Sequence, residues 1–98
     1  MKILLNKVKN ILEIGSAIGY SAICMANVSK DITITSIERD KDRYIEAVKN
    51  VKSANLDHRI TLVLADALEF KTNEKFDLIF IDAAKSQYMK FFNNFSIN

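Results

Sequence analysis

The chain alternates between short runs in which nearly every residue is apolar and longer stretches in which apolar residues return every three or four positions. Residues 11–14 form a short, mostly apolar run, and residues 21–28, rich in Ala, Ile and Met, suit a helix. Residues 32–37 read Ile-Thr-Ile-Thr-Ser-Ile and alternate β-branched types as a strand does. Asp40 then stands where a helix cap belongs, and Tyr44, Ile45, Val48 and Val51 recur at helical spacing up to Ala54. Residues 60–64 and 76–81 read as a third and a fourth strand, apolar on two faces. Strands buried on both sides and separated by helices imply an α/β fold, a parallel sheet with flanking helices. The polar stretch 66–75 has room for a short helix around Ala67, Leu68, Glu69 and Phe70. After Lys85, the residues Tyr88, Met89, Phe91, Phe92 and Phe95 predict one last helix.

Composition narrows the class. Ninety-eight residues, 49% of them hydrophobic and 27% charged with no low-complexity stretch, predict one packed domain over residues 1–98. A formal charge of +2 with Lys and Arg scattered along the chain is not the clustered basic face of a phosphate-tracking protein. A lone cysteine, Cys24, reads as a small apolar helix residue, forms no internal disulfide and fits a reducing, cytoplasmic setting. No run approaches the roughly 18 apolar residues that cross a bilayer, so no membrane role is expected. His58 has no second ligand at metal spacing and reads as a surface loop residue.

The chemistry concentrates at the ends of strands. Gly15 and Gly19 are the only glycines, and both lie in the turn of the run ILEIGSAIGYSA at residues 11–22. A strand-to-helix turn needs glycine where φ is positive or where a ligand approaches the backbone. Ala17 stands where a dinucleotide fingerprint would carry its middle glycine, which disfavours a nicotinamide cofactor. Glu13 puts a carboxylate in an apolar strand end; it needs a cation, such as the ammonium of a bound methionyl group, or backbone N–H groups to cap. Glu38, some twenty residues past the glycine turn, has the spacing of an acid that accepts from a ribose diol, the alternative being a surface glutamate within Glu38-Arg39-Asp40-Lys41. Asp66 follows the third strand, where it could accept from an exocyclic amine or cap the turn after it.

These residues, together with Ile-Asp-Ala-Ala-Lys at residues 81–85, resemble the class I S-adenosylmethionine-dependent O-methyltransferases. The similarity is to the cation-dependent branch, which contains catechol and caffeoyl-CoA methyltransferases and a bacterial tRNA 5-hydroxyuridine methyltransferase, and Gly-Tyr-Ser-Ala looks nearest to the last of these. The resemblance implies a Rossmann-like methyltransferase fold with S-adenosylmethionine and Mg²⁺ as cofactors. It implies that Glu13, Gly15, Ser16, Gly19, Tyr20, Ser21, Glu38, Arg39, Asp66, Ala67 and Asp82 surround the S-adenosylmethionine, with Ser21 near its carboxylate. It further implies that Asp82 ligates Mg²⁺ and that Lys85 accepts the proton of the acceptor hydroxyl. The acceptor would be tRNA 5-hydroxyuridine, with a small catechol-like hydroxyl compound or an inactive cofactor-binding fragment as alternatives. The resemblance covers about four of the seven strands of such a domain. A partial methyltransferase domain is therefore expected, with the 76–81 strand left as an open edge that favours a homo-oligomer and no counterpart for the family's second metal segment.

Overall fold

The computed structural model describes residues 8–83 and 86–91, which build one five-stranded sheet in the order β3-β2-β1-β4-β5. The strands are β1 (Asn10–Ile14), β2 (Thr33–Glu38), β3 (Ile60–Leu64), β4 (Leu78–Ala83) and β5 (Ser86–Phe91). The first four are parallel, and β5 runs antiparallel to β4. A short 3₁₀ turn (Ala17–Gly19) leads into helix α1 (Tyr20–Ala26), and helix α2 (Lys41–Ser53) connects β2 to β3.

Both helices pack on one face of the sheet. Ala22, Met25 and Ala26 of α1 and Val51 of α2 close over Ile11, Ile34, Ile60, Leu78 and Phe80. Strand period 2 sends the intervening residues to the opposite face. There Leu12 and Ile37 meet Phe76, with Phe70 and Ala67 of the 65–76 segment packed against them. That segment carries the chain back across the sheet, so that β4 lies beside β1 instead of beside β3.

The helix over 41–53 follows local chemistry closely. The Asp40 side chain accepts from the Arg43 N–H at 3.0 Å, which satisfies one of the donors a helix start leaves open. At the other end Leu56 N–H bonds to Val51 O and Asn55 N–H to Lys52 O, with Asn55 left-handed at φ 60°. These are the paired bonds of a Schellman ending, and buried Leu56 and Val51 supply its apolar contact. The face that packs runs through Ala47 and Val51, whereas Ile45 is 53% exposed.

Four expectations need correction. Residues 86–91 form a strand and not the expected helix, with Leu78 opposite Phe91 and Ala83 opposite Ser86; Phe92 and Phe95 lie outside the described residues. Apolar spacing at 88, 89 and 91 does not separate the two states. The unpaired N–H and C=O groups of the β4 edge favour a strand that pairs them. That edge is consequently covered by this chain's own β5 and not left open. The 67–69 stretch is a turn and not a helix, held by Asp66 Oδ1 accepting from Leu68 N–H at 2.9 Å, and Leu68 itself is 93% exposed. Finally, β3 is an edge strand with exposed Thr61 and Leu64 rather than one buried on both faces.

Candidate functional site

The strand registers decide which residues meet. Ile14 pairs with Ile37 on one side and with Ile81 on the other, and Glu38 pairs with Leu64. The backbones of Leu64, Glu38, Gly15 and Asp82 therefore stand in one row at the carboxyl ends of four neighbouring strands. The sheet order turns at β1, whose neighbours are β2 and β4, and crevices outside strand carboxyl ends at such a reversal are where open α/β sheets hold ligands.

The loop leaving β1 is shaped by positive φ angles. Gly15 has φ 87° and Gly19 φ 92°, conformations that cost a residue with a Cβ about 1–2 kcal/mol. The Gly15 N–H bonds to Ile37 O at 2.9 Å and the Gly19 N–H to Ser16 O at 2.8 Å. Gly19 also lies against α2, where an added Cβ would stand 3.4 Å from the Ala47 Cα. Between them Ile18 sits at φ 62°, ψ 16°, a left-handed position that is a genuine outlier for a β-branched side chain. The Asn50 side chain amide of α2 donates to the Ile18 carbonyl at 2.7 Å.

Two buried carboxylates flank this loop. Glu13 is 0% exposed; Ser36 Oγ donates to its Oε1 at 2.7 Å, and Ser21 Oγ donates to its Oε2. Glu38 is 4% exposed. Its Oε1 accepts from both the N–H and the Oγ of Ser16, each at 3.1 Å, and its Oε2 accepts from the Asp40 N–H at 2.9 Å. Hydrogen bonds to a charged acceptor are among the stronger ones, about 1.5–3 kcal/mol. The glycine loop, the end of β2 and the cap of α2 are thus one hydrogen-bonded unit.

The residues singled out in the sequence divide accordingly. Glu13, Gly15, Ser16, Gly19, Ser21 and Glu38 come together around the loop. Tyr20 begins α1 and is 60% exposed. Arg39 is exposed beside Glu38, and Asp66 and half-buried Ala67 lie beyond β3 with the Asp66 carboxylate engaged in its own turn. The backbone of Asp82 is in β4, level with Gly15, and Lys85 lies outside the described residues. Among the described residues no group of three or more His, Cys, Asp or Glu is arranged to hold a metal ion. Cys24 is exposed and not packed, and His58 is exposed. Sequence reading missed Ser36 and Asn50. Ser36 had a signal, since it shares the helix-facing side of β2 with Ile34; Asn50 had none beyond a polar residue one step from the packed face of α2.

Comparison with known proteins gives a consistent picture. The O-methyltransferase family matches residues 1–97. An Arabidopsis thaliana protein assigned as a caffeoyl-CoA O-methyltransferase is 39% identical over 89 residues, covering 85% of this chain and 38% of the relative. A catechol O-methyltransferase of Niastella koreensis is 34% identical over 91 residues, covering 86% of this chain and 41% of the relative. The crystal structure of an O-methyltransferase from Bacillus cereus in complex with S-adenosylhomocysteine superposes with a TM-score of 0.71 at 34% identity, covering 86% of this chain and 44% of that one. The chain spans about two fifths of the length of these relatives.

Proposed function

We propose, for a chain that belongs to the O-methyltransferase family, that it binds S-adenosylmethionine at the glycine loop and serves methyl transfer to the hydroxyl of a small aromatic acceptor of the catechol or caffeoyl-CoA kind. The observation that carries this reading is the Glu38–Ser16–loop unit at the carboxyl ends of β1 and β2, with Glu13 buried behind it. The acceptor class is supported by the names of the relatives. Two relatives named as tRNA methyltransferases, each 31% identical, act on an adenine N6 and not on a hydroxyl, and a formal charge of +2 is a weak basis for holding a tRNA.

The donor set fits the cofactor. S-adenosylmethionine presents a cationic α-ammonium and a ribose diol, both rich in donors, and Glu13 and Glu38 offer carboxylates on either side of the loop. The pyrophosphate of a nicotinamide dinucleotide would instead bring negative charge to a turn flanked by two acids. Glu38 accepts three hydrogen bonds from protein donors, and a carboxylate has about four lone-pair positions, so an acceptor position remains for a ribose hydroxyl. When bound, S-adenosylmethionine supplies an electrophilic methyl group on its sulfonium.

This chain's residues would hold and orient that group. Gly15 and Gly19 keep side-chain bulk away from the loop, Ser16 and Glu38 fix its height above the sheet, and Ser21 and Ser36 hold the Glu13 carboxylate in place. Holding reactants in line is a large part of what such a site contributes. Asp82, at the end of the neighbouring strand, is proposed as a ligand to Mg²⁺, and Lys85 as the group that takes the proton of the acceptor hydroxyl. Magnesium takes close to six oxygen ligands; Asp82 would supply one of them, and no group of three or more His, Cys, Asp or Glu among the described residues completes the set.

Calorimetric titration with S-adenosylhomocysteine and with NAD tests the cofactor assignment, and a methyl-transfer assay on catechol, caffeoyl-CoA and hydroxyuridine-containing tRNA tests the acceptor. The expected result is binding of S-adenosylhomocysteine in preference to NAD and transfer to the aromatic hydroxyls. Tighter binding of NAD overturns the cofactor assignment, and transfer to the tRNA alone overturns the acceptor class.

A further inference from the structure

Ile18 is the residue of the glycine loop whose backbone its own side chain should refuse. Among the described residues only Ile18 and Asn55 are non-glycine residues with positive φ. Asn55 is explained by its place after α2, where the helix-ending bonds to Val51 and Lys52 demand that geometry and where asparagine tolerates it. Isoleucine has no such tolerance, because its branched Cβ crowds the backbone in the left-handed region. Something outside the loop must hold it there.

Helix α2 is placed to do so. The Asn50 Nδ2 donates to the Ile18 carbonyl at 2.7 Å across 32 residues of sequence. Three residues earlier on the same helix Ala47 abuts Gly19, so α2 touches both residues that carry the loop into α1. The acceptor is a carbonyl, which fixes the Asn50 amide with its nitrogen toward the loop. A donor at this position is polar, half-buried and beside the packed face of its helix, where helix formation alone would favour leucine or alanine.

We propose that Asn50 is a positioning residue for the cofactor, a latch that holds the Ile18 peptide in its left-handed conformation and so presets the loop that receives S-adenosylmethionine. The proposal rests on the reading that this loop binds the cofactor. The α2 helix thereby links two parts of the site, since its first turn is capped by Asp40 next to Glu38 and its third turn carries the latch.

The test is Asn50→Leu, which removes the donor while raising helix propensity, in the wild-type background and in Ile18→Gly, where the left-handed conformation needs no enforcement. Amide hydrogen exchange of the ligand-free protein reads the loop directly, and calorimetry with S-adenosylhomocysteine reads binding. Asn50→Leu should speed exchange of the Gly19 amide about three- to tenfold, the scale of one lost hydrogen bond, while α2 amides keep their protection. Affinity for S-adenosylhomocysteine should fall by a similar factor, and both effects should shrink in the Ile18→Gly background. Unchanged Gly19 exchange in Asn50→Leu overturns the latch, as does an equal effect of the substitution in both backgrounds, which would reduce Asn50 to a packing contact. Faster loop exchange with unaltered affinity, in a protein that binds the ligand, upholds the latch and overturns the cofactor role of the loop.

Discussion

Ser16 and Glu38 lie 22 residues apart in the chain and meet twice, the N–H and the Oγ of Ser16 both donating to one carboxylate oxygen of Glu38 at 3.1 Å. The contact joins the turn after β1 to the end of β2 at a point where both residues are buried. A carboxylate so placed is a support of the loop before it is a ligand for anything.

Glu38→Ala should therefore do more than weaken cofactor binding. Three donors, two from Ser16 and one from Asp40, lose their acceptor, and a stability loss of about 2–3 kcal/mol is expected from hydrogen bonds to a charged group. Urea denaturation measures it. An unchanged midpoint together with lost affinity for S-adenosylhomocysteine would show that Glu38 serves the ligand alone.

Gly19→Ala should destabilise by about 1–2 kcal/mol, because φ 92° is held by the surrounding bonds and an alanine there is strained. Its new Cβ would also stand 3.4 Å from the Ala47 Cα, close but not overlapping. Thermal unfolding of the variant checks the cost; a midpoint within error of the parent would mean that the loop can relax to negative φ.

Arg59 is a structural residue outside the site. Its Nη2 donates to Ala26 O at 2.7 Å and to Ser29 O at 2.6 Å, and its Nε donates to Ile32 O at 3.1 Å, closing the carboxyl end of α1 onto the start of β2. Arg59→Ala should cost about 2–3 kcal/mol. Arg59→Lys should recover less than half of that, since an ammonium cannot reproduce the fork. Full recovery by lysine in chemical denaturation would contradict the geometry.

Ser36 and Glu13 face each other across β1 and β2, with the hydroxyl 2.7 Å from the carboxylate. Ser36→Ala should lower stability by about 1.5–3 kcal/mol, the range for a hydrogen bond to a charged group. In a double-mutant cycle with Glu13→Gln the two losses should couple by about 0.5–3 kcal/mol. Simple additivity would show that the pair shares no energy.

What the sequence determined by itself is what short-range chemistry dictates. Apolar runs marked β1 to β4, the spacing of apolar residues and Asp40 marked α2, and the concentration of both glycines in one five-residue stretch marked the loop. The positive φ of Gly15 and Gly19 follows from that turn. Each of these features depends on residues within a few positions of one another, and so a one-dimensional pattern carries it.

The tertiary structure alone decided which ends met. Period 2 tells which face of a strand a residue occupies and not which strand lies beside it. The return of the chain over the second face places β4 next to β1, and only that order brings Asp82 level with Gly15. The same holds for Ser36 beside Glu13, for Asn50 against Ile18 and for Ser16 on Glu38, each a contact across more than twenty residues. The final strand was hidden for a related reason: residues 86–91 suit either state locally, and the unpaired edge of β4, a feature that exists only once the sheet has formed, made the choice.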